Sequence, residues 1–170
     1  GPLSIGRSDG SVLPPVPAGR ASLLVARLAA TGGNTVSTDA LVDALWPDDP
    51  PASAVRTVAA LVSRVRSAIG ADVIIGSQAG GYRFNSGPSW STDIAVVERL
   101  VAEAQARTSA AAALAASAAR RGLTMLARGE PLPGVQQSDA DWVGECVRHV
   151  DGLRRRLRRA LWLADMGLGR

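Results

Sequence analysis

The hydrophobic pattern of the chain is clearest in the segment from Ser53 to Ile69. Val58, Val62, Val65 and Ile69 recur at spacings of four, three and four, which places them on one side of a helix as a core stripe. Ser53 is a suitable cap for the start of this helix. The opposite side combines arginines, short hydroxyls and a small apolar residue without any acid: Arg56, Ala60, Ser63, Arg64 and Ser67, with Thr57 and Arg66 at its edges.

Such a helix face suits the major groove of DNA. Arginine reaches phosphate oxygens or binds guanine through two hydrogen bonds, hydroxyls reach phosphates, and a methyl group contacts thymine. Two short apolar segments, Val73–Ile75 and Tyr82–Phe84, follow the helix and flank a turn that contains Gly80 and Gly81. This pattern predicts a glycine-tipped β-hairpin, the usual form of a wing. Helix and wing together indicate DNA binding.

The N-terminal part supplies the remaining elements of such a domain. Leu3–Ile5 and Ser11–Leu13 flank a turn-forming cluster and predict a β-hairpin. A first helix is expected from Ala21 to Ala30, where Gly32 and Gly33 follow it. A second helix is expected from a cap at Ser37 or Thr38 through Trp46.

The sequence after this region changes character. Asn85–Ser91 is rich in turn-forming residues and is the predicted linker. Three helices are then expected, one from Asp93, one over Ser109–Ala127 and one over Asp139–Met166. We therefore predict an α+β winged helix-turn-helix domain over residues 1–88 and an all-α, tetratricopeptide-like helical domain over residues 92–170. Helical hairpins that end here would leave an apolar face uncovered, so we expect the helical domain to be truncated at its C-terminus.

Composition narrows the class of function. All 19 basic residues are arginine, the net charge is +4, and the pI of about 10.8 permits nucleic-acid binding without proving it. Cys146 and His149 are the only residues of their kinds, so neither a disulfide framework, a zinc site nor a histidine-based catalytic site can be assembled. No signal peptide or membrane-spanning run is visible. We expect a cytoplasmic protein that is not an enzyme and needs no cofactor or metal.

Several segments, in this order and spacing, resemble the SARP family of bacterial antibiotic-pathway activators. In that family an OmpR-type winged helix-turn-helix precedes a helical bacterial transcriptional activation domain. The resemblance covers nearly the whole chain. It rests on Gly1–Leu3, Leu41–Ala52, Arg56–Thr57, Val62–Arg66 and Gly80–Phe84 in the first half, and on Glu98–Glu103, Arg128–Leu132 and Trp142–Glu145 in the second.

The resemblance implies roles for individual residues. Arg64 occupies the position expected to read a base, and Ala60 matches a small apolar contact. Tyr82 matches the wing aromatic, whose plainer role is packing of the hairpin on the helix. Two departures stand out: Gln78 occupies the wing position that often carries arginine, and Ala127 replaces a tryptophan, which leaves a groove or is compensated by Met125. The predicted DNA-binding set is Arg56, Thr57, Ser63 and Arg66 at phosphates, Ala60 and Arg64 at bases, and Gln78, Gly80, Gly81 and Tyr82 in the wing.

SARP-like proteins are expected to bind direct repeats near promoters as head-to-tail pairs and to recruit RNA polymerase. We therefore predict a sequence-specific transcriptional activator with double-stranded DNA, RNA polymerase and a second copy as partners. The loop Pro47–Pro51, with Asp48 and Asp49, is the expected polymerase-facing segment. The alternative is an interaction scaffold with weak or lost DNA binding.

The arginines between Arg154 and Arg159 are interpreted as a solvated helix face, with Asp151 paired to Arg155.

Overall fold

The computed structural model describes residues 5–7, 13–107, 111–129 and 141–169. The chain separates into two compact units. Of the described residues, the first unit contains 5–7, 13–92 and 141–144, and the second contains 93–107, 111–129 and 145–169.

Three helices form most of the first unit. They are α1 (Arg20–Ala29), α2 (Thr38–Leu45) and α3 (Ala54–Ile69). The Ser37 side chain accepts a hydrogen bond from the backbone N–H of Ala40 at 3.1 Å, as its predicted capping role requires. Ser53 precedes α3 but its side chain makes no capping bond, so the predicted capping by Ser53 is wrong. With φ −99° and ψ 20°, its backbone lacks the extended conformation in which Ser37 caps α2.

Four short strands accompany these helices. β1 (Ile5–Arg7) pairs with β4 (Trp90–Thr92), and β2 (Ile74–Gly76) pairs with β3 (Tyr82–Phe84), both antiparallel. Tyr82 also exchanges two backbone hydrogen bonds with Val36, at 2.8 and 2.9 Å. This bridge ties the extended segment before α2 to the wing hairpin β2–β3.

The pairing of β1 with β4 differs from the sequence-based expectation. Trp90 and Ser91 were predicted to belong to a linker, yet they lie in β4, and Trp90 is only 3% exposed. Burial of the apolar indole beside β1 is favourable because it removes the ring from water, whereas a solvated linker would leave the ring exposed. Of the other strand predicted for this hairpin, Ser11–Leu13, residues 11 and 12 lie outside the described residues and Leu13 is not in a strand.

The core of the first unit is aliphatic and centres on α3. The predicted stripe of α3 is fully buried, together with Leu24 and Leu28 of α1 and Leu41 of α2. Full burial of such a side chain stabilises the fold by about 1.5–3 kcal/mol. The buried residues of the stripe are Val58, Val62, Val65 and Ile69.

The second unit contains α4 (Asp93–Arg107), α5 (Ala112–Leu126) and most of α6 (Asp141–Gly167). Alanines of α5 are buried, and a Cβ at Gly122 would lie 2.8 Å from Cδ1 of Leu157 in α6. Small residues on α5 therefore allow α6 to approach closely. The predicted helix starts at Ser109 and Asp139 lie outside the described residues. None of the described helices is long and apolar enough to cross a membrane.

One predicted ion pair of α6 is wrong. Asp151 Oδ1 accepts a hydrogen bond from Nη1 of Arg154 at 2.6 Å, and Arg155 is left exposed. Both spacings, three and four residues, bring side chains together on a helix, so sequence alone does not choose between them. Arg156 donates from Nη2 to Oε1 of Gln105 in α4 at 2.9 Å.

Candidate nucleic-acid interface

The solvent-facing side of α3 carries most of the predicted contact residues. The structure places Arg56, Ala60, Ser63, Arg64 and Ser67 on it, all exposed. Since α3 contains no acidic residue, nothing on the helix itself opposes an approaching phosphate. Within the described residues, the guanidinium groups of Arg56 and Arg64 make no hydrogen bond or ion pair and are available for binding.

Thr57 lies at one edge of this face and is half-buried. Its hydroxyl Oγ1 donates to the carbonyl oxygen of Ser53 at 3.0 Å, one turn earlier. A hydroxyl that donates to the backbone still has lone pairs but has committed its proton. To donate to a phosphate, Thr57 must first give up this local bond.

Arg66, at the opposite edge, is engaged within the protein. Its Nε and Nη2 both donate to the carbonyl oxygen of Ile74 in β2, at 3.0 and 2.8 Å. Arg66 is half-buried, whereas Arg56 and Arg64 are exposed. The resemblance implies a phosphate contact for Arg66, but in this structure the side chain links α3 to the wing.

The register of the wing explains why the Ile74 carbonyl needs this partner. The backbone N–H of Asn85 donates to Val73 and that of Ser77 donates to Gly81, at 2.9 and 3.0 Å. Hydrogen-bonded pairs alternate along an antiparallel ladder, so Ile74, opposite Phe84, occupies a non-hydrogen-bonded position. Its carbonyl therefore points away from β3. Ile74 is 1% exposed, and a buried carbonyl left without a partner costs about 1–3 kcal/mol.

Glycine is required at the wing because of backbone conformation and close packing. Gly80 and Gly81 adopt φ of 85° and 102°, a region that side chains rarely tolerate. Gly81 is buried, and a Cβ there would overlap the carbonyl of Val36, whereas Gly80 is exposed with open space around it. The tip, with Gln78 and Gly80, is therefore the part of the wing that faces solvent.

Tyr82 is half-buried and packs against the core of the first unit. Together with its backbone bridge to Val36, this packing supports a role of Tyr82 in holding the hairpin, and direct DNA contact by Tyr82 stays a prediction.

A second set of contacts fixes the base of the wing. The indole N–H of Trp90 donates to Oδ2 of Asp72 at 2.8 Å, and the side-chain amide of Asn85 donates to the Asp72 carbonyl oxygen at 3.0 Å. The Arg7 guanidinium lies 4.8 Å from the centroid of the Trp90 ring. The hydrogen bond from Trp90 occupies one oxygen of Asp72, the one carboxylate between α3 and β2.

Sequence reasoning missed two exposed residues beside the candidate interface. Val55, at the start of α3, is 60% exposed, and Ala59 lies one turn later on the same edge. In helix-turn-helix proteins the N-terminal residues of the recognition helix contact bases, and apolar side chains meet the thymine methyl group. The spacing gave no such signal, because Val55 lies three residues before Val58 and therefore extends the core stripe, and only the structure shows that Val55 is exposed.

The loop between α2 and α3 is acidic and exposed, as expected. Trp46 is buried and has the Arg20 guanidinium 5.0 Å from its ring centroid, and Asp48 and Asp49 are exposed after it. Trp46 thus anchors the end of α2 in the core, and the two acids face solvent.

The single cysteine and histidine both lie on α6 in the second unit. Burial, together with the charge of Asp93, raises the pKa of the Cys146 thiol above its ordinary value of 9.0. His149 Nε2 lies 2.8 Å from Oε1 of Glu98 on α4, in a solvent-exposed pair. No cluster of three or more metal-ligating side chains occurs in the parts of the chain that the structure describes.

The helical unit has one notable concave surface along α5. A cavity of about 520 Å³ is lined by Ser117, Arg120, Arg121, Thr124, Met125 and Arg128. Met125 is among the lining residues but Ala127 is not, so the groove expected from the missing tryptophan stays a prediction.

Comparison with known proteins finds similarity to transcriptional regulatory proteins. The family described as "Transcriptional regulatory protein, C terminal" matches residues 18–84. The regulatory protein AfsR of Streptomyces griseus is 36% identical over 73 residues, which are 43% of this chain and 7% of that protein. AfsR of Streptomyces coelicolor is 33% identical over 113 residues, 66% of this chain and 11% of that protein. The chain thus spans a small part of these relatives.

A solved structure, Mycobacterium tuberculosis EmbR in complex with a low-affinity phosphopeptide, is similar with a TM-score of 0.72. The match covers 99% of this chain and 47% of that chain at 24% identity, and it shows the fold. The predicted fold class, a winged helix-turn-helix region followed by a helical domain, is confirmed. Residues 18–84 thus match the transcriptional regulatory protein C-terminal family, and the similarities to the two AfsR proteins and to the fold of EmbR agree with the resemblance to the SARP-type regulators.

Proposed function

We propose that this chain is the sequence-specific DNA-binding part of a transcriptional activator. The observation that carries the proposal is the acid-free, exposed side of α3, on which Arg56 and Arg64 are unpaired within the described residues. In this proposal α3 enters the major groove and the wing tip, with Gln78 and Gly80, lies along the adjacent backbone.

The contacts divide into two kinds. Arg64 reads a guanine through a paired hydrogen bond, while Ala60 and Val55 meet base methyl groups. Arg56 and Ser63 bind phosphates and set the register without reading sequence. Thr57 joins them once its hydroxyl releases the Ser53 carbonyl oxygen and donates to a phosphate oxygen instead.

Partner proteins enter the proposal through the remaining surfaces. The exposed acids Asp48 and Asp49 repel DNA and suit a basic surface of RNA polymerase. A second copy of the chain, bound head to tail on a direct repeat, would place two α3 helices on one face of the duplex. The division into a DNA-binding domain over 1–88 and an activation domain over 92–170 belongs to the same proposal.

The test is selection of bound fragments from a random duplex library with the wild-type chain and Arg64→Ala. We expect an enriched direct-repeat motif that loses information at one position of each half-site in the variant. Arg155→Ala, an exposed arginine on α6, is the matched control and should leave the motif unchanged. No enrichment at low salt would refute the proposal and favour a protein-interaction scaffold.

A further inference from the structure

We propose that Arg66 is a positioning residue that fixes the wing against the recognition helix, and that it does not grip a phosphate. The inference deepens the proposed DNA-binding function and rests on it for its effect on affinity. The link between α3 and β2 is seen in the free protein and does not depend on DNA binding.

Three features distinguish Arg66 from the other arginines of α3. Two of its donors converge on the single carbonyl oxygen of Ile74. That carbonyl is buried and faces away from β3, so β3 provides no N–H group that could donate to it. Arg66 itself is half-buried. If its guanidinium turned toward a phosphate, both hydrogen bonds would break and the buried Ile74 carbonyl would be left without a donor.

The hydrogen bonds between Arg66 and Ile74 connect the end of α3 to the start of the wing. Arg66 is the last arginine of α3, and Ile74 is the first residue of β2, with the turn through Gly70 and Asp72 between them. The far side of the same turn is held by the bonds of Trp90 and Asn85 to Asp72. With both sides held, the wing cannot rotate about its base without loss of one set of bonds.

A rigid wing has a consequence for binding. A wing that is already oriented loses less conformational freedom when it meets the DNA backbone, so affinity rises without any new contact. Loss of Arg66 should therefore weaken binding through the wing. A phosphate-gripping arginine would instead weaken binding whatever the state of the wing.

The first measurement follows the wing in the free protein. Hydrogen exchange of the amides of Ser77, Tyr82 and Asn85, each bonded in or beside the wing, is compared between wild type, Arg66→Met and Arg56→Met. Faster exchange of these amides in Arg66→Met alone, with the α2 amides of Leu41 and Trp46 unchanged, is the expected result. Unchanged wing exchange would overturn the proposal. If Arg66→Met does not fold, Arg66→Lys, which keeps the charge but loses the planar pair of donors, takes its place.

The second measurement is a double-mutant cycle on DNA binding. Ala79→Glu places a carboxylate at the exposed wing tip, and Ala79→Gln is its neutral control. If Arg66 acts through the wing, the effect of Arg66→Met shrinks by at least about twofold in the Ala79→Glu background, the lower end of measured couplings. Additive losses, with a salt dependence reduced as for Arg56→Met, would mean direct phosphate contact and reject the proposal.

The two measurements separate the two proposals. If the wild-type chain binds no DNA, the proposed function fails, while hydrogen exchange still decides whether Arg66 holds the wing. If DNA binds and the wing exchange does not change, the function stands and the positioning role fails.

Discussion

The arginines of α3 differ in what their guanidinium groups contact in the free protein. Arg56 and Arg64 are exposed and unpaired within the described residues, whereas Arg66 is bonded to the backbone of β2. Residue type alone therefore does not identify a DNA contact. The same side chain can read a base, bind a phosphate or hold two elements together.

Arg64→Ala should weaken binding to the selected operator by about 1–3 kcal/mol, because a guanine would lose a paired hydrogen bond. Binding to random duplex should change much less. Fluorescence anisotropy with both duplexes measures the difference. Equal losses on operator and random DNA would contradict a base-reading role for Arg64.

Arg56→Ala should weaken binding to all sequences alike. The slope of log affinity against log salt should also become shallower by about 0.9, because one phosphate fewer is neutralised by the protein. Titrations of operator and random duplex across a salt series measure both effects. A loss confined to the operator would instead place Arg56 at a base.

The Cys146 thiol should resist alkylation in the folded chain near neutral pH, since burial and Asp93 raise its pKa. A proton is held more tightly in the folded state than in the unfolded state. The contribution of this group to stability is therefore fully present below pH 9.0, the ordinary pKa of the thiol, and is lost as pH rises above it. Iodoacetamide labelling with and without denaturant, together with urea unfolding across this range, tests the prediction. Cys146→Ser removes the pH-dependent part.

At the scale of elements, the wing depends on the close approach of Gly81 to Val36. Gly81→Ala should lower the free energy of unfolding by more than Gly80→Ala. Both residues have positive φ, which costs an alanine about 1–2 kcal/mol, but only Gly81 would also overlap the Val36 carbonyl. Urea unfolding of the two variants measures the difference. Equal losses would show that backbone conformation alone determines the need for glycine.

Element boundaries also show what pattern reading can achieve. The periodicity of Val58, Val62, Val65 and Ile69 predicted α3 to within a residue of the observed helix. The assignment of Trp90 to a linker failed, because turn-forming neighbours dominate that segment. Only its distant partners, β1 and Asp72, make it a strand.

At the scale of the whole chain, the modest net charge of +4 conceals an uneven distribution of charge. The exposed side of α3 has arginines without acids, whereas the arginines of α6 are interspersed with Asp151 and Asp165. We interpret the α6 face as solvated. On that interpretation, a double variant Arg155→Glu with Arg159→Glu leaves the affinity for operator DNA and its salt dependence nearly unchanged.

The control for this experiment is charge reversal at Arg56, which should abolish tight binding at the same salt concentration. The two series are compared in titrations over increasing salt. A marked loss with the α6 variant would show that the helical unit also contacts the duplex.

The sequence by itself determined the helices, the wing and the face of α3 that bears arginine. These features depend on periodicity, capping and glycine chemistry, which are local and can be read from neighbouring residues. The family resemblance added the expected roles of individual residues.

Only the tertiary structure decided the partners of the polar groups. It bonded Arg66 to Ile74, Trp90 to Asp72 and Asp151 to Arg154, and it exposed Val55. The physical reason is that a buried donor or acceptor must find a partner wherever the fold brings one within about 3 Å. Distance in space is fixed by packing of the whole unit, and spacing along the chain does not reveal it.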